Sequence, residues 1–364
     1  MLDYALIGGG LQNALIALAL RANQPHASIA IIERGARPGG NHTWCFHAGD
    51  VVNGMEWIAP LIVHRWDGYD VAFPSYTRTL ASPYACVTSD RLADALAGFD
   101  VRTEQTAISV AADRVMVRAA DGSVSELHAR HVIDARGPDR ADVGATAWQK
   151  FLGQELILAA PHSLTRPMLM DATVVQDEFR FVYVLPLAED RVLVEDTYFA
   201  NSSHLDAAVS RERISAYVAA RGWRVTECAR EESGLLPLPL QATPPRANAP
   251  LVAGYAGGWF HPVTGYSFPI AARLAQAIAT NQDLDRLARS HAKQSEFALR
   301  LNRMLFRWFA PEQRYRVLEK FYRLPEASIR RFYALELTAF DRARILVGKP
   351  PKGLSLAAMF GGSP

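Results

Sequence analysis

The stretch Tyr4-Ala5-Leu6-Ile7-Gly8-Gly9-Gly10-Leu11-Gln12-Asn13, continued by an apolar run to Arg21 and by Ile29-Ala30-Ile31-Ile32-Glu33, decides the fold. Tyr4–Ile7 reads as a strand, the glycines as a turn, Asn13 to about Arg21 as a helix, and Ile29–Ile32 as a second strand ending in an acid. Together they form one βαβ unit. Gly8 makes the tight turn, and Gly10 lets the backbone approach a pyrophosphate. The helix N-terminus adds N–H donors and a partial positive charge. Glu33, 23 residues after Gly10, stands where ribose hydroxyls are held. Asn13 replaces the third glycine of the usual pattern. A dinucleotide site is expected here, against the bland alternative of a plain tight turn.

Outward from this unit the chain is of ordinary globular composition, with 49% hydrophobic and 21% charged residues, which excludes collagen, coiled coil and wholesale disorder. Net charge is +2, but His291–Lys352 holds 14 Lys/Arg against 6 Asp/Glu. Cys45, Cys86 and Cys228 lie far apart with no CxxC spacing, so neither a disulfide framework nor a zinc site is expected; no metal is expected. The N-terminus enters an apolar strand with no basic leader. No run reaches the roughly 18–20 apolar residues of a spanning helix. From Ser163 to Phe199 the pattern turns β-rich, with alternation in Met168–Val175, Arg180–Pro186 and Arg191–Tyr198. Leu205–Arg221 reads as a helix. An α/β pattern returns at Leu251–Ala253 and Ile270–Ala279, and the chain beyond Ser290 is helical, basic and aromatic to about Val347.

The glycines Gly39-Gly40 after Glu33, and the strand ending Ile133-Asp134-Ala135-Arg136-Gly137, resemble FAD proteins of the glutathione-reductase superfamily. Within it the p-hydroxybenzoate hydroxylase-like branch is the nearest in pattern. The resemblance implies that Asp134 and Gly137 lie near the FAD and that Arg91, at the start of a short helix, reaches it. Gly254 would open the turn over the ribityl chain, where Gly254-Tyr255 departs from the usual Gly-Asp. The fold class expected is α/β. It comprises a Rossmann-like FAD domain of glutathione-reductase / p-hydroxybenzoate hydroxylase type, an inserted β-rich substrate domain and a helical C-terminal region. The expected boundaries are 1–55, 80–145 and 225–290 for FAD, 56–79 and 146–224 for substrate, 291–350 for the basic helices and 351–364 for the tail.

A finer match is carried by Pro38-Gly39-Gly40-Asn41-His42-Thr43-Trp44, Arg180-Phe181-Val182-Tyr183, Val194-Glu195-Asp196-Thr197 and Phe260-His261-Pro262-Val263-Thr264-Gly265-Tyr266-Ser267. Leu301-Asn302-Arg303-Met304-Leu305-Phe306 and Arg344-Ile345-Leu346-Val347-Gly348-Lys349-Pro350-Pro351 extend it. These blocks resemble bacterial lycopene β-cyclases along almost the whole chain. The resemblance implies cyclisation of the ψ-ends of lycopene, through γ-carotene, to β-carotene, an isomerisation in net chemistry. It also implies FAD reduced by NADPH or NADH but not consumed, with His42, Gly265 and Tyr266 among the cofactor contacts.

The chemistry can be built from the substrate class. Ring closure needs protonation of the terminal alkene at C2, attack of the C5–C6 double bond on the C1 cation, and proton loss from C6. The enzyme must supply a protonated acid in an apolar cleft, negative charge for the cation, and a base. Glu195 is expected nearest the proton transfer, with Asp196 orienting or tuning it; a solvated strand-end acid pair is the bland alternative. Adjacent strand residues face opposite ways, so both serve one cavity only if the strand bulges or ends. His261 is a candidate general base or a hydrogen-bonding element, and Asp171 reads as structural. Arg300, Arg303 and Arg307, interleaved with Trp308 and Phe309, suit an anionic lipid surface. A solvated helical face is the alternative, and no nucleic-acid module is recognisable. The expected location is cytoplasmic, peripheral on the membrane. Two rivals stand beside the cyclase: a redox flavoenzyme of the same fold, either hydroxylase or isoprenoid reductase, and a non-catalytic carotenoid-binding flavoprotein.

Overall fold

The computed structural model describes residues 1–137, 146–242 and 245–347. β1 (Leu2–Ile7), α1 (Leu11–Asn23) and β2 (Ile29–Ile32) form the βαβ unit, with β1 and β2 parallel. Five short strands follow: β3 (Thr43–His47), β4 (His64–Trp66), β5 (Tyr69–Phe73), β6 (Tyr76–Leu80) and β7 (Tyr84–Thr88). Each is too short for its alternation to show in the sequence. Next come α2 (Ser89–Ala95), β8 (Asp100–Arg102), β9 (Thr106–Val110), β10 (Arg114–Arg118) and β11 (Val124–Asp134). The β-rich segment holds β12 (Thr146–Leu158), β13 (Met168–Asp171), β14 (Phe179–Ala188), β15 (Arg191–Ala200), α3 (Ala207–Ala220) and β16 (Val225–Pro239). The chain finishes with β17 (Leu251–Val252), α4 (Phe268–Ala279), α5 (Leu284–Trp308), α6 (Tyr315–Phe321), α7 (Glu326–Tyr333) and α8 (Ala339–Leu346).

The first sheet runs β8-β2-β1-β11-β10-β9, with β17 also pairing β11. Ile7 and Asp134 are register partners in the parallel pair β1–β11. The carboxyl ends of these strands therefore open together at Gly8 and Ala135, where open α/β sheets bind ligands. Buried residues of α1 and α4, among them Leu15, Ala19, Leu274 and Ile278, cover this sheet.

The second sheet runs β16-β12-β15-β14-β13-β5-β6, and β3-β7-β4 form a third. Alternation divides the second sheet cleanly. Val182, Val184, Val192 and Val194 pack under Ile214 and Val218 of α3. Phe181, Leu185, Leu193 and Phe199 face the other way, towards Leu305, Phe306 and Leu318 of the C-terminal helices.

Two domain boundaries need correction. Residues 225–239, expected with the nucleotide domain, are β16, an edge strand of the second sheet. Its first half is polar, and Pro237 and Pro239 obscure the rest, as an edge strand permits. Within 56–79, β4 joins the small third sheet while β5 and β6 belong to the second. The C-terminal helices also enter both cores rather than standing apart. Among the described residues no helix is long and apolar enough to cross a membrane. The tail 351–364 and the block from Gly348 to Pro351 lie outside the described residues.

Candidate active site

A cavity of about 1770 Å³ runs between the first and second sheets. At one end lie Gly8, Gly10, Glu33, Gly39, Gly40, His42, Asp134, Gly137 and Gly254. Gly8 has φ +94°, a left-handed conformation, and an added Cβ would sit 3.2 Å from the Ala135 carbonyl oxygen. Gly10 differs: a Cβ there meets nothing within 4 Å, so it opens onto the cavity at the N-cap of α1. The Glu33 carboxylate accepts the N–H groups of Gly9 and Gly35, both at 2.7 Å, and so ties the first strand-turn to the second. Tyr255, in place of the usual aspartate, turns inward and donates to the Gly265 carbonyl. Tyr266 donates to Asp50 at 2.8 Å and accepts the His47 N–H at 2.9 Å. Burial pushes the Asp50 carboxyl up to about 6. Gln12 Oε1, Gln149 Oε1, Thr197 Oγ1 and Trp259 Nε1 belong to cavity-lining residues and are buried without hydrogen-bond partners among the described residues. An open helix N-terminus, glycine-lined walls and spare polar atoms fit a dinucleotide.

Three expected contacts are placed otherwise. Asn13 is fully buried and donates to the carbonyls of Ile7 and Gly8 at 2.8 and 3.0 Å. It pins the turn from behind, a task that accounts for a side chain where glycine is usual. Arg91 lies outside the cavity, its Nε donating to the Pro60 carbonyl at 2.7 Å. His261 is also outside it and fully buried, with Nε2 3.0 Å from the Phe332 carbonyl and Nδ1 accepting the Val263 N–H. Both ring nitrogens are used, and burial pushes the imidazole down to about 3. His261 joins the turn at Pro262 to α7; it is not a base in the cavity.

At the other end the wall is apolar and aromatic, with Phe151, Phe181, Phe199 and Leu236 beside Tyr84 and Tyr183. β15 runs through this wall without a bulge, so its residues alternate. Glu195 and Thr197 face the cavity. Asp196 points to the other side, fully buried, where it accepts Arg180 Nε at 2.6 Å and the Tyr198 hydroxyl at 2.5 Å. Asp196 is therefore not the second carboxyl of the site. That carboxyl is Glu232 of β16, within hydrogen-bond reach of Glu195. Desolvation, then the charge and hydrogen bond of Glu232, push the Glu195 carboxyl well above the usual carboxylate range, with Arg230 partly opposing. Arg230 pairs with Glu232 at 2.6 Å. The alternation Arg230, Glu232, Gly234, Leu236 was the available signal for this partner, a charged pair on the face that continues as cavity wall.

The family model described as lycopene cyclase protein matches residues 3–359. The chain belongs to the lycopene cyclase family. The lycopene beta-cyclase of Pseudescherichia vulneris is 44% identical over 98% of this chain and 96% of that protein. The lycopene beta-cyclases of Pantoea ananas and of Paracoccus sp. (strain N81106 / MBIC 01143) are 41% and 37% identical, over 96% and 98% of this chain and 95% and 96% of theirs. Among solved structures, a geranylgeranyl bacteriochlorophyll reductase-like protein from Thermoplasma acidophilum aligns with TM-score 0.64 at 13% identity, over 96% of this chain and 97% of that one. A p-nitrophenol 4-monooxygenase from Pseudomonas putida gives 0.64 at 14% identity, over 92% and 98%. At such identities the likeness is one of fold. The same fold is shared by a myxobacterial FAD-dependent halogenase, similar at TM-score 0.54, with 15% identity over 94% of this chain and 88% of that one. In this chain Glu195 is the carboxyl that reaches the cavity, and Asp196 lies on the opposite face of the strand.

Proposed function

We propose that this chain is a lycopene β-cyclase, closing the ψ-ends of lycopene through γ-carotene to β-carotene. One observation carries the proposal: Glu195 is a carboxyl that desolvation and the neighbouring Glu232 push well above the usual carboxylate range, in an aromatic-walled cavity continuous with a glycine-lined cradle. A hydrocarbon end has no polar handle, so shape and apolar contact must hold it, and Phe151, Phe181, Phe199 and Leu236 supply that contact. Glu195 donates its proton to C2. The C5–C6 double bond then closes on the C1 cation beside Tyr84 and Tyr183, aromatic rings of the kind that stabilise cations. Glu195, now a carboxylate, takes the proton from C6, and the protein ends as it began.

The proposed cofactor is FAD, in the p-hydroxybenzoate hydroxylase-type variant of the glutathione-reductase-like fold, reduced by NADPH or NADH. Gly8–Gly10, Glu33, Gly39, Gly40, His42, Asp134, Gly137, Gly254, Gly265 and Tyr266 would hold it, with α1 directed at the pyrophosphate. When bound and reduced it supplies negative charge beside the cation with no net electron transfer.

The proposed location is the cytoplasmic face of the membrane. Exposed Arg300 and Arg307 on α5, with Phe340, Leu346 and Val347 exposed on and beside α8, support a lipid-facing surface. The basic excess is not all available to lipid. Arg314 is buried, Arg331 is paired with Asp341, and Phe309 is buried.

Expression in a lycopene-accumulating bacterium followed by pigment chromatography tests the function. β-Ring carotenes are expected, and persistence of lycopene alone contradicts the proposal. Sustained, stoichiometric use of NADPH per product would mark a redox flavoenzyme instead.

A further inference from the structure

Glu195, Gly153 and Glu232 stand in one row across three strands. Gly153 of β12 is the register partner of Glu195 on β15 and of Glu232 on β16. Adjacent strands are about 4.8 Å apart, so the two glutamate backbones are separated by roughly 10 Å, with a whole strand between them. Any side chain on that strand would normally keep them apart. Glycine does not. A Cβ built on Gly153 would lie 2.7 Å from Glu195 Cγ, which means that the Glu195 side chain lies over the glycine and leans towards β16.

What it meets there is held fast. Glu232 is 3% exposed. Its Oε2 accepts Arg230 Nη1 at 2.6 Å and the Thr43 hydroxyl at 3.3 Å. Arg230 is braced in turn by Glu155 at 3.1 Å, Asn41 at 3.0 Å and Thr43 at 2.6 Å. The other oxygen, Glu232 Oε1, is buried and receives no N–H or hydroxyl from the described residues. Among the described residues Glu195 is a carboxyl within hydrogen-bond reach of Glu232, and its proton can serve as the donor.

We propose that Glu232 is the positioning residue of the acid: across the gap left by Gly153 it fixes the orientation and the proton of Glu195 at the cavity wall. The two carboxyls share one proton. Arg230 occupies Glu232, so the proton resides on Glu195; it passes to C2 of the substrate, and the proton lost from C6 restores the pair. The other titratable or charged groups around Glu195 are Arg230, Cys45, Tyr183, Tyr84 and His42. Burial holds the Cys45 thiol and both phenols well above their ordinary values, so they stay neutral. Glu232 is the one anion in direct contact.

The inference rests on Glu195 being the acid of the proposed cyclase. The test compares flavin-loaded wild type, Glu195→Gln, Glu232→Gln and Gly153→Ala in two readouts. One is the pH profile of kcat for lycopene. The other is the infrared carbonyl band of the protonated carboxyl, assigned by its loss in Glu195→Gln and titrated without substrate. Removing a like charge lowers the neighbour's pKa, so both the band and the alkaline limb of kcat are expected to move down by about 1–3 pH units in Glu232→Gln. Gly153→Ala, which removes no charge but pushes Glu195 away, is expected to shift them in the same direction. It carries the test if Glu232→Gln does not fold. A band and limb within about 0.3 units of wild type in a folded, flavin-loaded variant overturn the role of Glu232. If wild type makes no cyclic product the cyclase reading falls instead, and the infrared titration still decides the coupling.

Discussion

Asp196 and Arg180 meet at 2.6 Å on the face of β15 opposite the cavity, both side chains almost completely buried. Two adjacent acids thus have separate tasks, set by the two-residue period of the strand. Glu195 faces substrate space, and Asp196 closes a buried ion pair that Tyr198 completes.

Asp196→Asn is therefore expected to lower stability and leave the chemistry in place. Removing one partner of a buried pair strands the other charge and costs roughly 3–5 kcal/mol. Thermal melting reads the loss. Turnover per flavin-loaded molecule, and its pH profile, should stay close to wild type; a loss of turnover with unchanged melting contradicts the assignment.

Gly10→Val is expected to abolish flavin retention without harm to the apoprotein. The residue has φ −78° and ψ −175°, a conformation open to any side chain, and its Cβ position is free of protein atoms. A side chain there would enter the space a pyrophosphate needs. Equal melting of the two apoproteins, with flavin lost from the variant alone, is the predicted pattern. A yellow variant would move the nucleotide site elsewhere.

Asp341→Asn probes the joint between α7 and α8. The carboxylate caps α8 through Thr338, accepts the Ser328 hydroxyl and forms a two-point pair with Arg331 at 2.6 and 2.7 Å. The Arg331 hydrogen bonds lead the forces that hold it well below the usual carboxylate range. A depressed folded-state value means stability fully present above the unfolded value, about 4, and lost progressively as pH falls below it. At pH 7 the variant is expected to lose roughly 3 kcal/mol. Its melting temperature should depend less on pH below 4 than that of wild type; equal acid sensitivity in the two proteins contradicts the account.

Reversing Arg300, Arg303 and Arg307 to Glu is expected to weaken binding to anionic vesicles, while detergent-solubilised lycopene is still cyclised. Each basic residue near such a surface contributes about 1 kcal/mol, so the loss should reach several kcal/mol. Arg300 gives less than its share because Glu296 holds it at 2.5 Å. High salt should imitate part of the effect. Equal vesicle binding by a folded, flavin-loaded variant returns this helix to a solvated face.

The βαβ unit was legible because its signals are local: the apolar period changes from two to 3.6 across three glycines, and an acid closes the second strand. Glu195 was legible through the resemblance of its block, Val194 to Thr197, since the acid pair by itself reads as a solvated strand end. Its partner was not. Glu232 lies on a distant edge strand whose alternation of Arg230, Glu232, Gly234 and Leu236 is the available signal but whose polar first half reads as solvated, and Gly153 reads in sequence only as a weak point in a strand. Arg91 and His261 show the opposite failure. Each sits in a motif at the expected place, but a nearby backbone carbonyl, of Pro60 for one and Phe332 for the other, takes the side chain away from the cavity.

The most direct test of the central claim is the rate of β-ring formation by purified, flavin-loaded Glu195→Gln relative to wild type, with reduced cofactor and lycopene under anaerobic conditions. The amide preserves packing but has no acidic proton. Since acid catalysis contributes about 10²–10⁴-fold, the variant is predicted to retain no more than about a hundredth of the wild-type rate with its flavin still bound. A flavin-loaded variant that keeps a tenth or more of that rate, roughly an order of magnitude above the prediction, would show that Glu195 is not the acid.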